Sequence, residues 1–198
     1  RRLVVVDIDE ASLSEVGAWP WPRSTMAALA KRLTQAGVVV QGYDVTFSDP
    51  REGDAALAEA WAASAVVAGQ VISIDPAVTP KAGALSGELQ QAGCPSFAAA
   101  GFGYYGTAPA LLPAGAAVGH ITPHIESDGV VRKLPALVCV DGKAYASLAL
   151  TMLWRAAQAD AGAGHAPSSH PDWQWHQWPE SAPGFGAMSP PMRPTSRS

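Results

Sequence analysis

The run Leu3-Val4-Val5-Val6 is apolar, mostly β-branched and free of alternation, and it passes through Asp7-Ile8-Asp9 toward Trp19-Pro20-Trp21-Pro22-Arg23. Nothing else in the chain restricts the fold so tightly. A continuous β-branched run predicts a strand covered on both faces, as in a parallel sheet flanked by helices. On such a strand Asp7 and Asp9 point to the same side, and ligands in open α/β sheets bind at the carboxyl ends of strands. Each proline fixes its own φ and pushes the preceding residue out of the helical region, so Trp19 and Trp21 are expected in a stiff, extended bend.

The alternation continues downstream. Met26, Leu29, Ala30 and Leu33 recur at helical spacing after Pro22, and Gly37 closes that helix. A second strand is expected over residues 38–47, with Asp44 near its exit and so close to Asp7 and Asp9 if the strands are neighbours. After the turn Asp49-Pro50-Arg51-Glu52-Gly53, Asp54 is positioned to cap an alanine-rich helix over 55–63, and a third strand fills 65–74. Strand, helix and strand with short joints define a right-handed βαβ unit. Residues 75–115 are rich in Pro, Gly and Ala; a short helix is expected over 85–92, and Phe97, Phe102, Tyr104 and Tyr105 fit a loop over the sheet edge better than a pocket wall. A strand is expected at 118–121, then strand composition from 130 to 140 broken at Pro135, a tight Asp141-Gly142 turn, and a helix capped by Ser147. The expected fold class is α/β: a helix-flanked, mainly parallel sheet in a layered sandwich, with an added β-hairpin.

With 198 residues, 48% of them hydrophobic, the chain has material for one domain with a real core. A net charge of −4 with 15% charged residues supplies no basic field, which argues against nucleic acid as a partner. No run approaches the ~18 to 20 apolar residues of a membrane span. The chain starts at Arg1 and not Met, as expected of a processed or excised piece, from which a leader or anchor could have been removed. Cys94 and Cys139 permit one disulfide, and two cysteines are also what a reduced chain carries by chance. Beyond residue 160 Gly, Pro, Ser, His and Trp dominate, so 1–160 is expected to be the domain and 161–198 a largely unstructured tail.

An apolar strand ending in Asp7-Ile8-Asp9 has the form of the nucleophile and acid/base pair of a magnesium-dependent phosphohydrolase of haloacid-dehalogenase type. The later acidic pair and helical lysine of that machinery are hard to find, so the motif stands without its context. A divalent cation held by Asp7, Asp9 and Asp44 is a milder reading. The plainer account, that these acids cap turns, is preferred. Trp19 and Trp21 could stack on a ligand, although packing on the first helix with Arg23 bound to a carboxylate is the better expectation. Pro123 keeps His120 and His124 off a common helix and so away from helical zinc-site geometry. Arg132, after the Asp128-Gly129 turn, is expected to brace that turn.

Taken in order, Val5-Val6-Asp7-Ile8-Asp9-Glu10-Ala11-Ser12-Leu13, Gly17-Ala18-Trp19-Pro20-Trp21-Pro22-Arg23, Gly42-Tyr43-Asp44-Val45-Thr46-Phe47, Asp54-Ala55-Ala56-Leu57-Ala58, Gly119-His120-Ile121, Asp128-Gly129-Val130-Val131-Arg132 and Tyr145-Ala146-Ser147-Leu148-Ala149-Leu150 resemble the second type of CHASE domain, over about residues 3–153. The resemblance implies a non-enzymatic sensory domain in the periplasmic or extracellular part of a bacterial inner-membrane receptor. Flanking transmembrane helices and a cytoplasmic cyclase, diguanylate cyclase or kinase output domain are implied as partners, with a small molecule or ion as stimulus. It carries over no catalytic residues and no cofactor, and leaves room for a divalent cation and a homodimer. The candidate recognition residues are then Asp7, Asp9, Trp19, Trp21, Arg23 and Asp44, with Asp128, Gly129 and Arg132 as a structural signature. Family members usually continue after the last helix with further strands, so this chain is expected to be cut short or altered at its end. A purely structural dimerisation module is the remaining alternative.

Overall fold

Helix formation begins where the sequence offers a cap. In the computed structural model, which describes residues 3–89, 93–112 and 117–162, the Asp9 carboxylate accepts from the Ser12 amide at 2.9 Å and caps α1 (Glu10–Val16). Pro22, which has no amide to satisfy, stands before α2 (Arg23–Gln35), whose buried side chains include Met26, Ala27 and Ala30. The alternation expected next is observed: β1 (Val40–Thr46), α3 (Asp54–Ala62) and β2 (Ala65–Ser73) form a βαβ unit with parallel strands. Shorter strands follow, β3 (Lys81–Ala82), β4 (Ala99–Ala100), β5 (Gly103–Tyr105), β6 (Ala117–His120), β7 (His124–Ile125), β8 (Val131–Lys133), β9 (Leu137–Val140) and β10 (Lys143–Ala146), and then α4 (Leu148–Gly162).

The central strand of the sheet is β2. It pairs in parallel with β1 and with β6, while its last residues pair antiparallel with β5, which carries β3 in parallel. A second sheet joins the β9–β10 hairpin to β4, and β7–β8 form a two-stranded ribbon. The fold is therefore α/β with a mainly parallel central sheet and added hairpins. One face of that sheet packs on α2 and α3 through Met26, Tyr43, Leu57, Trp61, Val66 and Val118. On the other, a Cβ on Gly42 would collide with the Met152 side chain and one on Gly119 would lie 2.5 Å from the Leu148 Cα, so glycine lets α4 approach the strands. A smaller cluster of Ile72, Val138, Val140 and Tyr145 joins the two sheets, and the Cys94–Cys139 disulfide crosses nearby. The expected break at Pro135, the Asp141-Gly142 turn and the Ser147 cap, whose Oγ accepts from the Leu150 amide at 3.4 Å, all appear.

Several expectations are corrected. Residues 3–6 are not a covered strand: no strand precedes β1 among the described residues, and Leu3, Val4, Val5 and Val6 are 84%, 74%, 81% and 54% exposed. The unalternating strand buried on both faces is β2 instead, so the βαβ unit begins one strand later. Residues 85–89 form no helix, because Gly87 takes a left-handed φ of +80° and the Ser86 backbone is bound on both sides by the Gln70 amide. Asp54 is the first residue of α3 and not its cap, a place held by Gly53. The tail expected over 161–198 lies almost wholly outside the described residues.

Candidate functional site

Two features of the backbone shape a cleft at one end of β1. The first is the Trp-Pro bend. Gly17 ends α1 at φ +121°, the Trp19–Pro20 peptide is cis, and the Trp21 indole turns back to donate to the Gly17 carbonyl at 2.8 Å. Trp21 is thereby buried, whereas Trp19 stays 41% exposed with its ring 6.0 Å from that of Trp21. The second is an irregularity in β1: its register to β2 shifts between Tyr43 and Thr46. Such a bulge re-aims side chains, and here the stretch that contains it carries the exposed Asp44. Gly69 opposite is needed because a Cβ there would meet the Tyr43 carbonyl oxygen at 2.5 Å.

Arg23 locks the floor. Its Nε donates to Asp54 Oδ1 at 2.8 Å, a second nitrogen donates to the Asp49 carbonyl at 3.1 Å, and the guanidinium lies 4.6 Å from the Phe47 ring centre. Both side chains of the ion pair are under one-tenth exposed. The other Asp54 oxygen accepts from the Arg51 amide at 2.9 Å, which fixes the 48–54 loop against α2. Gly53 permits this contact, since at φ +88° it accepts a left-handed backbone and a Cβ would press on Arg23 Cβ at 2.9 Å. The result is a cleft of about 850 Å³, inside the ~300 to 1,000 Å³ typical of small-molecule sites. Trp19, Trp21, Arg23 and Asp44 line it together.

Asp7 and Asp9 are not brought there. Asp9 is occupied by the α1 cap, where the Ser12 amide first and its hydroxyl second hold the carboxyl below its ordinary value. With no strand at residues 3–6, neither acid sits at a strand exit, and the geometry required of a phosphohydrolase nucleophile is missing. Among the described residues no three His, Cys, Asp or Glu side chains gather as a cation would require, so Asp7, Asp9 and Asp44 do not form the candidate carboxylate cluster, in keeping with the preferred reading of them as capping acids. The sequence reading did not name Asp49 and Arg51 as site residues and placed Tyr105 in a loop over the sheet edge, whereas all three line the cleft and Tyr105 does so from β5; the turn-rich composition around Arg51 marked a loop without showing which way it folds. His120, set aside there as a zinc ligand, is fully buried. Neither ring nitrogen of His120 has a partner of proper geometry, and burial pushes its pKa down to about 4, with only partial opposition from the Ala136 backbone.

The signature turn behaves as expected. Asp128 Oδ1 accepts from the Val130 amide at 3.1 Å and from Arg132 at 2.9 Å, across Gly129 at φ +80°. Against this geometry, a family model of the CHASE2 domain matches residues 1–191. The chain belongs to the CHASE2 family. No curated protein and no solved structure matches it. CHASE2 domains are extracytoplasmic sensory domains and not catalysts. Among the described residues of this CHASE2 domain no helix is long and apolar enough to cross a membrane. The match runs past residue 153, where the ordered motifs of the CHASE2 resemblance end.

Proposed function

We propose that this CHASE2 domain is the periplasmic or extracellular stimulus-sensing part of a bacterial transmembrane receptor, and that the stimulus enters the cleft between the Trp-Pro bend and the exit of β1. The observation that carries this reading is the meeting of Trp19, Trp21, Arg23 and Asp44 in one cleft of ligand size, within a chain of a sensory family. The Cys94–Cys139 bond supports the compartment, because disulfides persist in oxidising surroundings outside the cytoplasm.

A sensor transmits only if its ligand distinguishes two arrangements of the domain. The means are at hand in the cleft floor. Trp21 precedes α2, Arg23 is its first residue, and Arg23 is bound to the first residue of α3. A ligand that displaces the bend therefore acts on both helices at once. Their response would pass through flanking membrane helices to a cytoplasmic output domain, within a homodimer if the receptor pairs.

The test uses the full-length receptor in its membrane. Trp19→Ala combined with Asp44→Asn, both exposed positions, should leave basal output intact and abolish the change in output that spent culture medium evokes from the parent. A double variant that responds like the parent would remove the cleft from signalling.

A further inference from the structure

The charge inside the cleft is unbalanced, and this bears on what it binds. Four charged side chains line it: Arg23, Asp44, Asp49 and Arg51. Arg23 is neutralised by its buried pair with Asp54. Asp44, Asp49 and Arg51 are all exposed, and among the described residues none has a side-chain ion pair. The lining thus carries two carboxylates and one guanidinium outside any ion pair, a net charge of −1 in a recess whose remaining wall is mainly apolar. Low-dielectric walls concentrate such a field and favour a cation entering from water. Two aromatic faces add to this preference: Trp19 is 41% exposed and Tyr105 is 45% exposed, and both line the same cleft. An indole or phenol face attracts an ammonium group.

We propose that the cleft recognises an organic amine, an apolar or aromatic body bearing an ammonium group, with Asp44 and Asp49 binding the charge and the Trp19 and Tyr105 faces enclosing the body. The inference rests on reading the cleft as the sensing site and adds the chemical class of its ligand. Arg51, the cation of the cleft lining that is outside an ion pair, can also receive a carboxylate, so amines and amino acids share the chemistry and differ only in their use of Arg51.

The experiment takes the full chain and three probes that share one aromatic body: phenethylamine, phenylalanine and 3-phenylpropionate. Binding is followed by calorimetry and by indole fluorescence. Phenethylamine should bind and alter Trp19 emission, and 3-phenylpropionate should bind at least about tenfold more weakly, a difference of about 1.4 kcal/mol. Phenylalanine binding that is lost in Arg51→Gln identifies the amino-acid form, whereas phenylalanine binding more weakly than phenethylamine identifies the simple amine. Asp44→Asn with Asp49→Asn, two exposed changes, should erase the preference for phenethylamine over 3-phenylpropionate while thermal unfolding stays put. Tighter binding of 3-phenylpropionate in the parent would overturn the amine assignment and leave the cleft as a site. Binding of none of the three would overturn the amine assignment as well, and the receptor-output test would then decide the cleft separately.

Discussion

Residues 3–6 and residues 66–72 are both valine-rich and reach opposite surroundings. Val4 and Val5 are 74% and 81% exposed, while Val66, Val67 and Ile72 are at most 2% exposed. What separates them is company. β2 pairs with β1, β6 and β5 and has helices over the sheet, whereas residues 3–6 pair with no strand among those described. Strand composition expresses a fit to a half-buried pleated surface; ordering the backbone costs about 1 to 2 kcal/mol per residue, which only neighbouring surface can offset.

The comparison is broken most severely by placing a charge in each run. Val67→Asp should abolish folding or lower stability by more than about 4 kcal/mol, since a buried carboxylate there would have no partner. Thermal unfolding would show it, and an unperturbed transition would mean that β2 is not the centre of the sheet. Arg23→Met should cost about 3 to 5 kcal/mol, because it leaves Asp54 buried and alone. Adding Asp54→Leu should recover much of that loss; failure to recover would show that the guanidinium acts through packing on Phe47 and not through the pair.

His120 gives the pH dependence. Its imidazole is neutral in the folded chain, with the pKa lowered from 6.5 to about 4 by burial, so below the ordinary value only the unfolded chain takes up the proton. Its contribution is complete above pH 6.5 and is lost as the pH falls toward 4, a loss of about 3 kcal/mol. His120→Gln should flatten the stability profile across that window in urea titrations at stepped pH. Asp9→Ala should speed amide exchange in α1 alone, with no change in the global transition, since the cap is local and exposed. Val5→Asp is the smallest, within about 0.5 kcal/mol of the parent; a larger loss would mean that residues 3–6 do find cover.

Signals that act over a few residues were legible in the sequence. The proline before α2, the glycine of the Asp128 turn, the interruption at Pro135 and the Ser147 cap all work through neighbouring backbone, and all appear. The pairing of Arg23 with a carboxylate was expected, but its identity as Asp54, 31 residues away, depends on how α2 and α3 pack. Trp19, Trp21, Arg23 and Asp44 were named as site residues and share the cleft, while Asp7 and Asp9 were grouped with them only through a strand that does not form. Asp49, Arg51 and Tyr105 enter the wall from loops and a late strand, and nothing within those segments records which cleft they face. The disulfide was likewise open, because cysteine count does not specify approach in space.

If the domain is held between two membrane anchors, as proposed above, the Cys94–Cys139 bond acquires a mechanical meaning. Tension applied to the chain ends would travel across the sulfur bridge and bypass the covalent ring it closes, which spans 45 residues and includes β5, β6 and the β7–β8 ribbon. Under such anchoring those elements would be shielded from a longitudinal pull, while the segment ahead of Cys94, where Trp19 to Asp54 lie, would carry the full load.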